Sequence, residues 1–203
     1  MVAALREAYA RERERIAGLA GGGGDYANPV FGEGPEAPLA LLIGEAPGAE
    51  EARQGRPFVG RAGRQLDELL ALAGLDRGAL YVTNAVKFRP IKSNSPRQAN
   101  RTPTLAEVKA GLPLLRLELE QLAPKVIVTL GNTPLKAVCR IAGRPDMTVG
   151  AAHGRPVELT SGQAAPVLFP QYHPASVIYD RSLQDTLRRD LQALGEYLNG
   201  MKN

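Results

Sequence analysis

The stretch LALLIGEAPG, residues 39–48, joins a short apolar run to a Gly- and Pro-rich cluster that holds one carboxylate, Glu45. Three further apolar runs are built in the same way. They occupy residues 80–83, 126–130 and 167–169 and lead into NAVK, GNTP and, two residues further on, YHP. In an open α/β sheet, ligands bind beyond the carboxyl ends of the strands. We therefore expect Glu45, Asn84 and His173 to converge on one crevice.

Helical patterns separate these apolar runs. Apolar residues recur at helical spacing over residues 62–72, and Thr104 with Glu107 has the spacing of a capping box that begins a long helix. Residues 44–60 are rich in Gly and Pro, which is typical of a loop. Strands that alternate with helices imply parallel pairing with right-handed crossovers. The sequence thus predicts an α/β fold, a three-layer α/β/α arrangement around a central, mainly parallel four-stranded sheet.

The first residues differ in character from the remainder of the chain. Residues 3–19 predict a helix in which Arg and Glu alternate around a few apolar positions, and the glycines at 21–24 break it. We therefore expect residues 1–24 to form an N-terminal charged helix with a glycine linker, and residues 25–203 to form a single domain. Within that domain, residues 143–166 predict a turn with a short hairpin or edge strand.

Composition limits the function classes. The chain has 203 residues, a net charge of +4, two histidines and one cysteine, Cys139, which we interpret as a small buried apolar residue. One cysteine excludes an internal disulfide and a four-thiolate metal site, and two histidines disfavour a zinc site. No run approaches the roughly 18 apolar residues of a membrane span. The charged N-terminus is unlike a secretory signal, so we expect a cytoplasmic protein, nucleoid-associated in a prokaryote.

Three side chains in the loops and strand ends are suited to holding a flat polar ligand. Phe58, in the glycine-bounded loop GRPFVG at 55–60, suits a stacking platform, although it can also fold back over the next helix. The amide of Asn84 can read the edge of a base, or it can cap its own backbone. Glu45 lies either at the mouth of the sheet or in an ordinary turn.

Two other segments suit contact with nucleic acid. The span from Lys87 to Arg101 holds five basic residues and no acidic one, which favours phosphate contacts or a solvated loop. After His173, the residues Val177 and Ile178 form either a wedge for a base stack or a seat for the last helix. The candidate DNA-binding residues are Lys87, Arg89, Arg97, Arg101, Ser176, Val177 and Ile178.

Together these clusters resemble the uracil-DNA glycosylase superfamily, and most closely its family 4. The similarity extends from about Asn28 to Leu194. The motifs that carry it, in order and at compatible spacing, are VFGEG at 30–34, GEAPG at 44–48, GRPFVGRAG at 55–63, NAVK at 84–87, NRTPT at 100–104 and YHPA at 172–175.

The resemblance implies two catalytic residues. Glu45 would organise or activate the attacking water and stabilise positive charge on the sugar. His173 would stabilise negative charge that develops at O2 of the leaving uracil. Such a site must hold charges of both signs close together while water is excluded.

The resemblance also implies a substrate-binding set. Phe58 would stack on the flipped uracil, and Asn84 would bond its N3–H and O4. Ala46 would line the base pocket, and Glu51 would lie near C5 and help exclude the thymine methyl. Because a freely flipping amide would accept cytosine as well, we also predict a partner that fixes the amide of Asn84.

Two departures from family 4 stand out. That family carries a four-cysteine iron–sulfur cluster, whereas this chain has a single cysteine and places Phe88 where a cluster cysteine is expected before Arg-Pro. We therefore expect no cofactor, with apolar packing by Phe88 and the N-terminal helix in place of the cluster. In a related branch, a histidine in the loop after the second strand crosslinks to DNA. Asn100 stands at the corresponding position, so we expect turnover and no covalent trap.

The resulting hypothesis is a monomeric, monofunctional uracil-DNA glycosylase of base-excision repair, whose partner is DNA containing uracil or another deaminated base, with no membrane partner. The first alternative is a glycosylase for hypoxanthine or xanthine. The second is a non-catalytic DNA-binding protein of the same fold. A small-molecule hydrolase is disfavoured because the chain has no Gly-x-Ser-x-Gly elbow.

Overall fold

A computed structural model describes residues 2–19, 24–92, 98–159 and 165–201. Its helices are α1 (Ala3–Ala17), α2 (Ala49–Gln54), α3 (Arg61–Leu72), α4 (Leu105–Leu122), α5 (Asn132–Ile141), α6 (Val149–Ala152), α7 (Ser176–Tyr179) and α8 (Leu183–Gly200). Its strands are β1 (Gly24–Asp25), β2 (Ala40–Gly44), β3 (Leu80–Asn84), β4 (Arg89–Pro90), β5 (Val126–Leu130), β6 (Val157–Glu158) and β7 (Val167–Gln171). A 3-10 turn, Arg77–Ala79, leads into β3.

The central sheet has the order β3-β2-β5-β7-β6, in which the first four strands are parallel and β6 is antiparallel to β7. The predicted α/β class with a mainly parallel sheet is confirmed. The predicted number of four strands is corrected to five, because Val157 and Glu158 pair with the edge of β7. Every residue of β2, β3 and β5 is buried, which explains why these strands are continuous apolar runs.

Helices cover both faces of this sheet, and alternate strand residues enter two separate cores. Leu41 and Ile43 pack on one side with residues of α4 and α5, and Leu42 packs on the other side with residues of α3 and α8. The capping box is confirmed, since Thr104 accepts from the amide of Glu107 and the Glu107 carboxylate accepts from the amide of Thr104. No helix in the described ranges is long and apolar enough to span a bilayer.

Helix α1 packs against α4 through its apolar residues, which are spaced among charged ones. Leu5 and Ile16 are completely buried in the same core as the strand residues, and Tyr9 is 6% exposed. Helix α2 lies within residues 44–60, for which the Gly and Pro content predicts a loop. It forms because two alanines and two glutamates after Gly48 give good helix formers with acidic groups in the first turn.

A buried polar network connects α1, β3 and α4. The ammonium of Lys87 lies 2.7 Å from the Glu118 carboxylate, and both side chains are fully buried. Lys87 also donates to the hydroxyl of Thr83 and to the carbonyl of Asn84. The Tyr9 hydroxyl donates to the same carboxylate. Burial lowers the pKa of Lys87, and the Glu118 charge opposes that shift.

This network corrects one sequence-based assignment. Lys87, in the set of candidate DNA-binding residues, opens the basic run, which predicts a contact with DNA. Its side chain is instead enclosed and paired inside the protein, so it cannot reach a phosphate. Arg97, another member of that set, lies outside the described residues, as does the side chain of Ile178.

We expect Lys87→Met to lower the free energy of unfolding by about 3–5 kcal/mol, because it leaves the Glu118 carboxylate buried and unpaired. The double variant Lys87→Met, Glu118→Leu should recover more than half of that loss, since no buried charge is left. Urea unfolding of the two variants and the wild-type protein measures both values. A double variant less stable than the single one would contradict this account.

Candidate active site

A cavity of about 840 Å³ opens at the carboxyl ends of the parallel strands. Glu45, Phe58, Asn84 and His173 all line it, as the common position of their loops predicts. Ala46 and Glu51 line it as well. The sequence-predicted catalytic and base-binding residues are therefore brought together in one place.

The floor of the cavity depends on the absence of a side chain at Gly44. Gly44 is paired with Asn84 in the β2–β3 register. A Cβ at Gly44 would lie 2.4 Å from Oδ1 of Asn84 and 2.5 Å from Cζ of Phe58. The amide and the aromatic ring thus meet over the glycine backbone, where both are buried. This brings a flat apolar surface next to a group that can both donate and accept hydrogen bonds.

His173 lies beside this pair, on the loop after β7. Its ring centroid is 6.2 Å from that of Phe58, with 29° between the ring planes. The amide of Ala175 donates to Nδ1 over 3.1 Å, so a neutral ring carries its proton on Nε2. Burial lowers the pKa of His173 to about 4, against the smaller, opposite effect of the Glu51 charge. At neutral pH the imidazole is therefore uncharged and offers an N–H donor.

Glu45 is held by a residue of the GNTP cluster for which the sequence predicts no role in the site. The Thr133 hydroxyl, at the start of α5, donates to Oε2 of Glu45 over 2.6 Å. The carbonyl of Glu45 also accepts from the amide of Val86. Within the described ranges no other donor reaches the carboxylate, so Oε1 is left to accept from a water molecule. No local pattern around Thr133 predicts this bond, because its partner lies 88 residues away.

Glu51 uses its carboxylate on the backbone of the neighbouring loop. Oε1 accepts from the amides of Val59 and Gly60 over 3.1 and 2.7 Å, and Oε2 accepts from the amide of Gly48 over 3.1 Å. These bonds stabilise the loop that carries Phe58. The contact of Glu51 with C5 of a base stays a prediction.

The partner predicted to fix the amide of Asn84 is not found among the described residues. What holds this residue is the Lys87 ammonium, which bonds its backbone carbonyl over 2.8 Å. The packing of the amide against Phe58 above Gly44 further restricts its position. These contacts restrict the position of Asn84, and a fixed orientation of its amide stays a prediction.

The two described arginines of the basic loop brace the loop itself. Arg89 donates to the side chain of Asn100 over 2.7 Å. Arg101 forms a two-bond ion pair with Glu107 and lines the cavity. Both guanidinium groups are partly exposed, and their contacts with phosphate stay predictions.

The turn after His173 is tied back to it. The Ser176 hydroxyl donates to the carbonyl of His173 over 2.6 Å. Val177 is partly buried against the core formed by α3 and α8, which agrees with the alternative that it seats the last helix. A wedge role for Val177 is still a prediction.

The residues present do not fit a four-cysteine iron–sulfur cluster. At the position expected for a cluster cysteine, the Phe88 ring is buried and packs 4.8 Å from that of Tyr26. Gly24 is close enough that a Cβ there would lie 2.9 Å from the Phe88 ring. Cys139, the single cysteine, is buried in α5. Among the described residues, no group of three metal-ligating side chains comes together.

The chain is similar to known proteins over most of its length. The uracil DNA glycosylase superfamily matches residues 31–195. A type-4 uracil-DNA glycosylase of Pyrobaculum aerophilum is 38% identical over 164 residues, which cover 81% of this chain and 80% of the relative. One from Archaeoglobus fulgidus is 36% identical over 170 residues, covering 83% and 81%. One from Thermotoga maritima is 38% identical over 162 residues, covering 80% and 77%.

We expect Gly44→Ala to lower the catalytic efficiency of the site by roughly a hundredfold, because the added methyl displaces the Asn84 amide and the Phe58 ring. Gly200→Ala is the control, since a Cβ there meets nothing within 4 Å. Steady-state kinetics and thermal unfolding of both variants measure the effect. Unchanged kinetics in Gly44→Ala would contradict the close packing of these groups.

The lowered pKa of His173 predicts a pH-dependent stability. Between pH 6.5, near the value for an unfolded chain, and pH 4, the unfolded state binds the proton more readily than the folded state. Compared with His173→Gln, the wild-type protein should therefore lose up to about 3 kcal/mol of unfolding free energy as the pH falls through this window. Chemical unfolding of both proteins from pH 7 to pH 4 tests this. A constant difference would contradict it.

Proposed function

The chain belongs to the uracil DNA glycosylase superfamily, and we propose that it hydrolyses the N-glycosidic bond of uracil in DNA, as in base-excision repair. One observation carries the proposal: a flat aromatic ring, an amide, a neutral imidazole and a carboxylate line the same cavity. The relatives that are named type-4 uracil-DNA glycosylases support the same substrate.

Base recognition is assigned to Phe58 and Asn84. The ring stacks on the flipped uracil, while the amide accepts from N3–H and donates to O4. Cytosine presents an acceptor at N3 and a donor at N4, so the same amide orientation rejects it. The close contact of both side chains over Gly44 limits the freedom of the amide to turn.

Bond cleavage is assigned to Glu45 with a water molecule. As the bond between C1′ and N1 breaks, the sugar becomes oxocarbenium-like and the base leaves with the electron pair. Oε1 of Glu45 orients the water and accepts its proton as the water oxygen bonds to C1′, while the carboxylate charge stabilises the cationic sugar. Thr133 holds Oε2 and thereby fixes the direction of Oε1.

The leaving uracil anion is assigned to His173. With Nδ1 bonded to the amide of Ala175, Nε2–H points its proton to the acceptor that develops charge, O2 of the base. The pKa of about 4 keeps this group a neutral donor at physiological pH, so it stabilises the anion without transferring its proton. The departing base takes a proton from solvent after release.

The target nucleotide must leave the duplex before it can reach Glu45. Arg89 and Arg101 stand at the loop beside the cavity and are proposed to contact the phosphates, with their internal bonds to Asn100 and Glu107 keeping them in place. DNA that contains uracil is thus the proposed partner, with the wedge assigned to residues 177–178.

The test is release of base from a labelled oligonucleotide with one uracil, as a single strand and in U·G and U·A pairs. Hypoxanthine and xanthine substrates are measured in parallel. Glu45→Ala and Glu45→Gln should each lower uracil release by 100-fold or more, because both remove the carboxylate charge. Glu68→Ala, on the exposed side of α3, is the control.

Each outcome of this assay has one interpretation. Uracil release that depends on Glu45 supports the proposal. Release of a purine only would keep the mechanism and overturn the substrate. Binding of DNA without release of any base would identify a non-catalytic member of the superfamily.

A further inference from the structure

Phe58 has a backbone conformation that is rare for a bulky residue. Its φ is 53°, in the left-handed region, where the Cβ of an L-residue is crowded. A non-glycine residue persists there only when surrounding contacts determine its conformation. The ring that is proposed to stack on uracil is therefore held in place by other groups.

Arg77 holds this segment through its carbonyl groups. Nη2 donates to the carbonyl of Pro57 over 2.8 Å, and Nη1 donates to the carbonyl of Phe58 over 3.1 Å. Nη1 also lies 2.7 Å from the Asp67 carboxylate. Arg77 begins the 3-10 turn that leads directly into β3. Its two bonds therefore connect the carbonyls of Pro57 and Phe58 to the central sheet.

Glu51 holds the same segment through its amide groups. Its Oε1 accepts from the amides of Val59 and Gly60, immediately after Phe58. A cation thus bonds the carbonyls at 57 and 58, and an anion bonds the amides at 59 and 60. Helix α3 leaves the Phe58 carbonyl little room to move, since a Cβ at Gly63 would lie 1.9 Å from that oxygen.

We propose that Arg77 is a positioning residue for base recognition: with Glu51 opposite, its guanidinium keeps Phe58 in the left-handed conformation that places the ring over the base pocket. This inference rests on the proposed function and adds a residue that positions the stacking ring from outside the cavity lining. Without Arg77, the carbonyls of Pro57 and Phe58 lose their shared donor, and the bonds of Glu51 on the amide side alone hold the strained φ of Phe58 less firmly, so its ring shifts away from Asn84 and Gly44.

The chemistry of the site requires arginine at this position. A planar guanidinium can bond two consecutive carbonyls and a carboxylate at once, whereas a lysine ammonium on a flexible stem lacks that fixed fork. Arg77→Lys should therefore fall between the wild-type protein and Arg77→Met. Asp67→Asn is the matched control, because it removes the ion pair of Arg77 and leaves both carbonyl bonds.

Stacking on the base acts in the ground state and in the transition state, so its loss weakens binding more than it slows cleavage. For Arg77→Met we expect KM for uracil-containing DNA to rise roughly tenfold and kcat to change less than threefold. Asp67→Asn should stay within twofold of the wild-type KM. Thermal unfolding of every variant identifies a change that comes from loss of the folded state.

A double-substitution cycle separates this role from a general structural one. Affinity is measured for a duplex with one 2′-fluoro-2′-deoxyuridine, a non-cleaved probe, and for the same duplex with thymidine. Phe58→Gly removes the ring and tolerates the positive φ without strain. Arg77→Met should lower the preference for the uracil probe in the wild-type background and have no further effect in Phe58→Gly.

The outcomes for this inference and for the proposed function are distinct. If the wild-type protein releases no uracil, the proposed function fails. If the wild-type protein releases uracil but Arg77→Met leaves KM and probe preference unchanged, the positioning role fails. An equal effect of Arg77→Met in the Phe58→Gly background would also overturn it, since Arg77 would then act independently of the ring.

Discussion

The register of the parallel sheet places Gly44 opposite Asn84 and Leu130 opposite Gln171, so the loops that follow these strands begin at one edge. Everything in the proposed site depends on that constraint. A parallel strand can return to the sheet only through a crossover, which separates neighbouring strands by many residues. Groups from distant parts of the chain therefore meet at the carboxyl ends, where free backbone groups and loop side chains are available.

The chain after β3 is anchored on both sides by buried side chains. Lys87 enters the interior and pairs with Glu118, whereas the next residue, Phe88, packs against Tyr26. The first contact connects the segment to α4, and the second connects it to the residue that follows β1. Adjacent residues thus use a buried charge and an aromatic ring to hold the segment that directly follows Asn84, the proposed reader of the base.

The site places an anionic carboxylate, Glu45, and a neutral N–H donor, His173, at separate positions of one cavity. Glu45 keeps one oxygen for water because Thr133 occupies the other, and His173 stays neutral because its surroundings disfavour a second proton. The transition state of glycoside hydrolysis develops a cation on the sugar and an anion on the base. A carboxylate at one end and an N–H donor at the other match this separation without reorganisation during the reaction.

The sequence by itself determined the α/β class, the capping box at Thr104, the four parallel strands and the convergence of Glu45, Asn84 and His173, because these follow from local periodicity and from the common edge of parallel strands. Only the tertiary structure decided that Lys87 is buried, since the sequence of a basic run does not reveal a carboxylate 31 residues away. It also decided the bond between Thr133 and Glu45 and the left-handed conformation of Phe58. Each of these depends on contacts between distant segments, which packing of the whole chain establishes and local patterns do not encode.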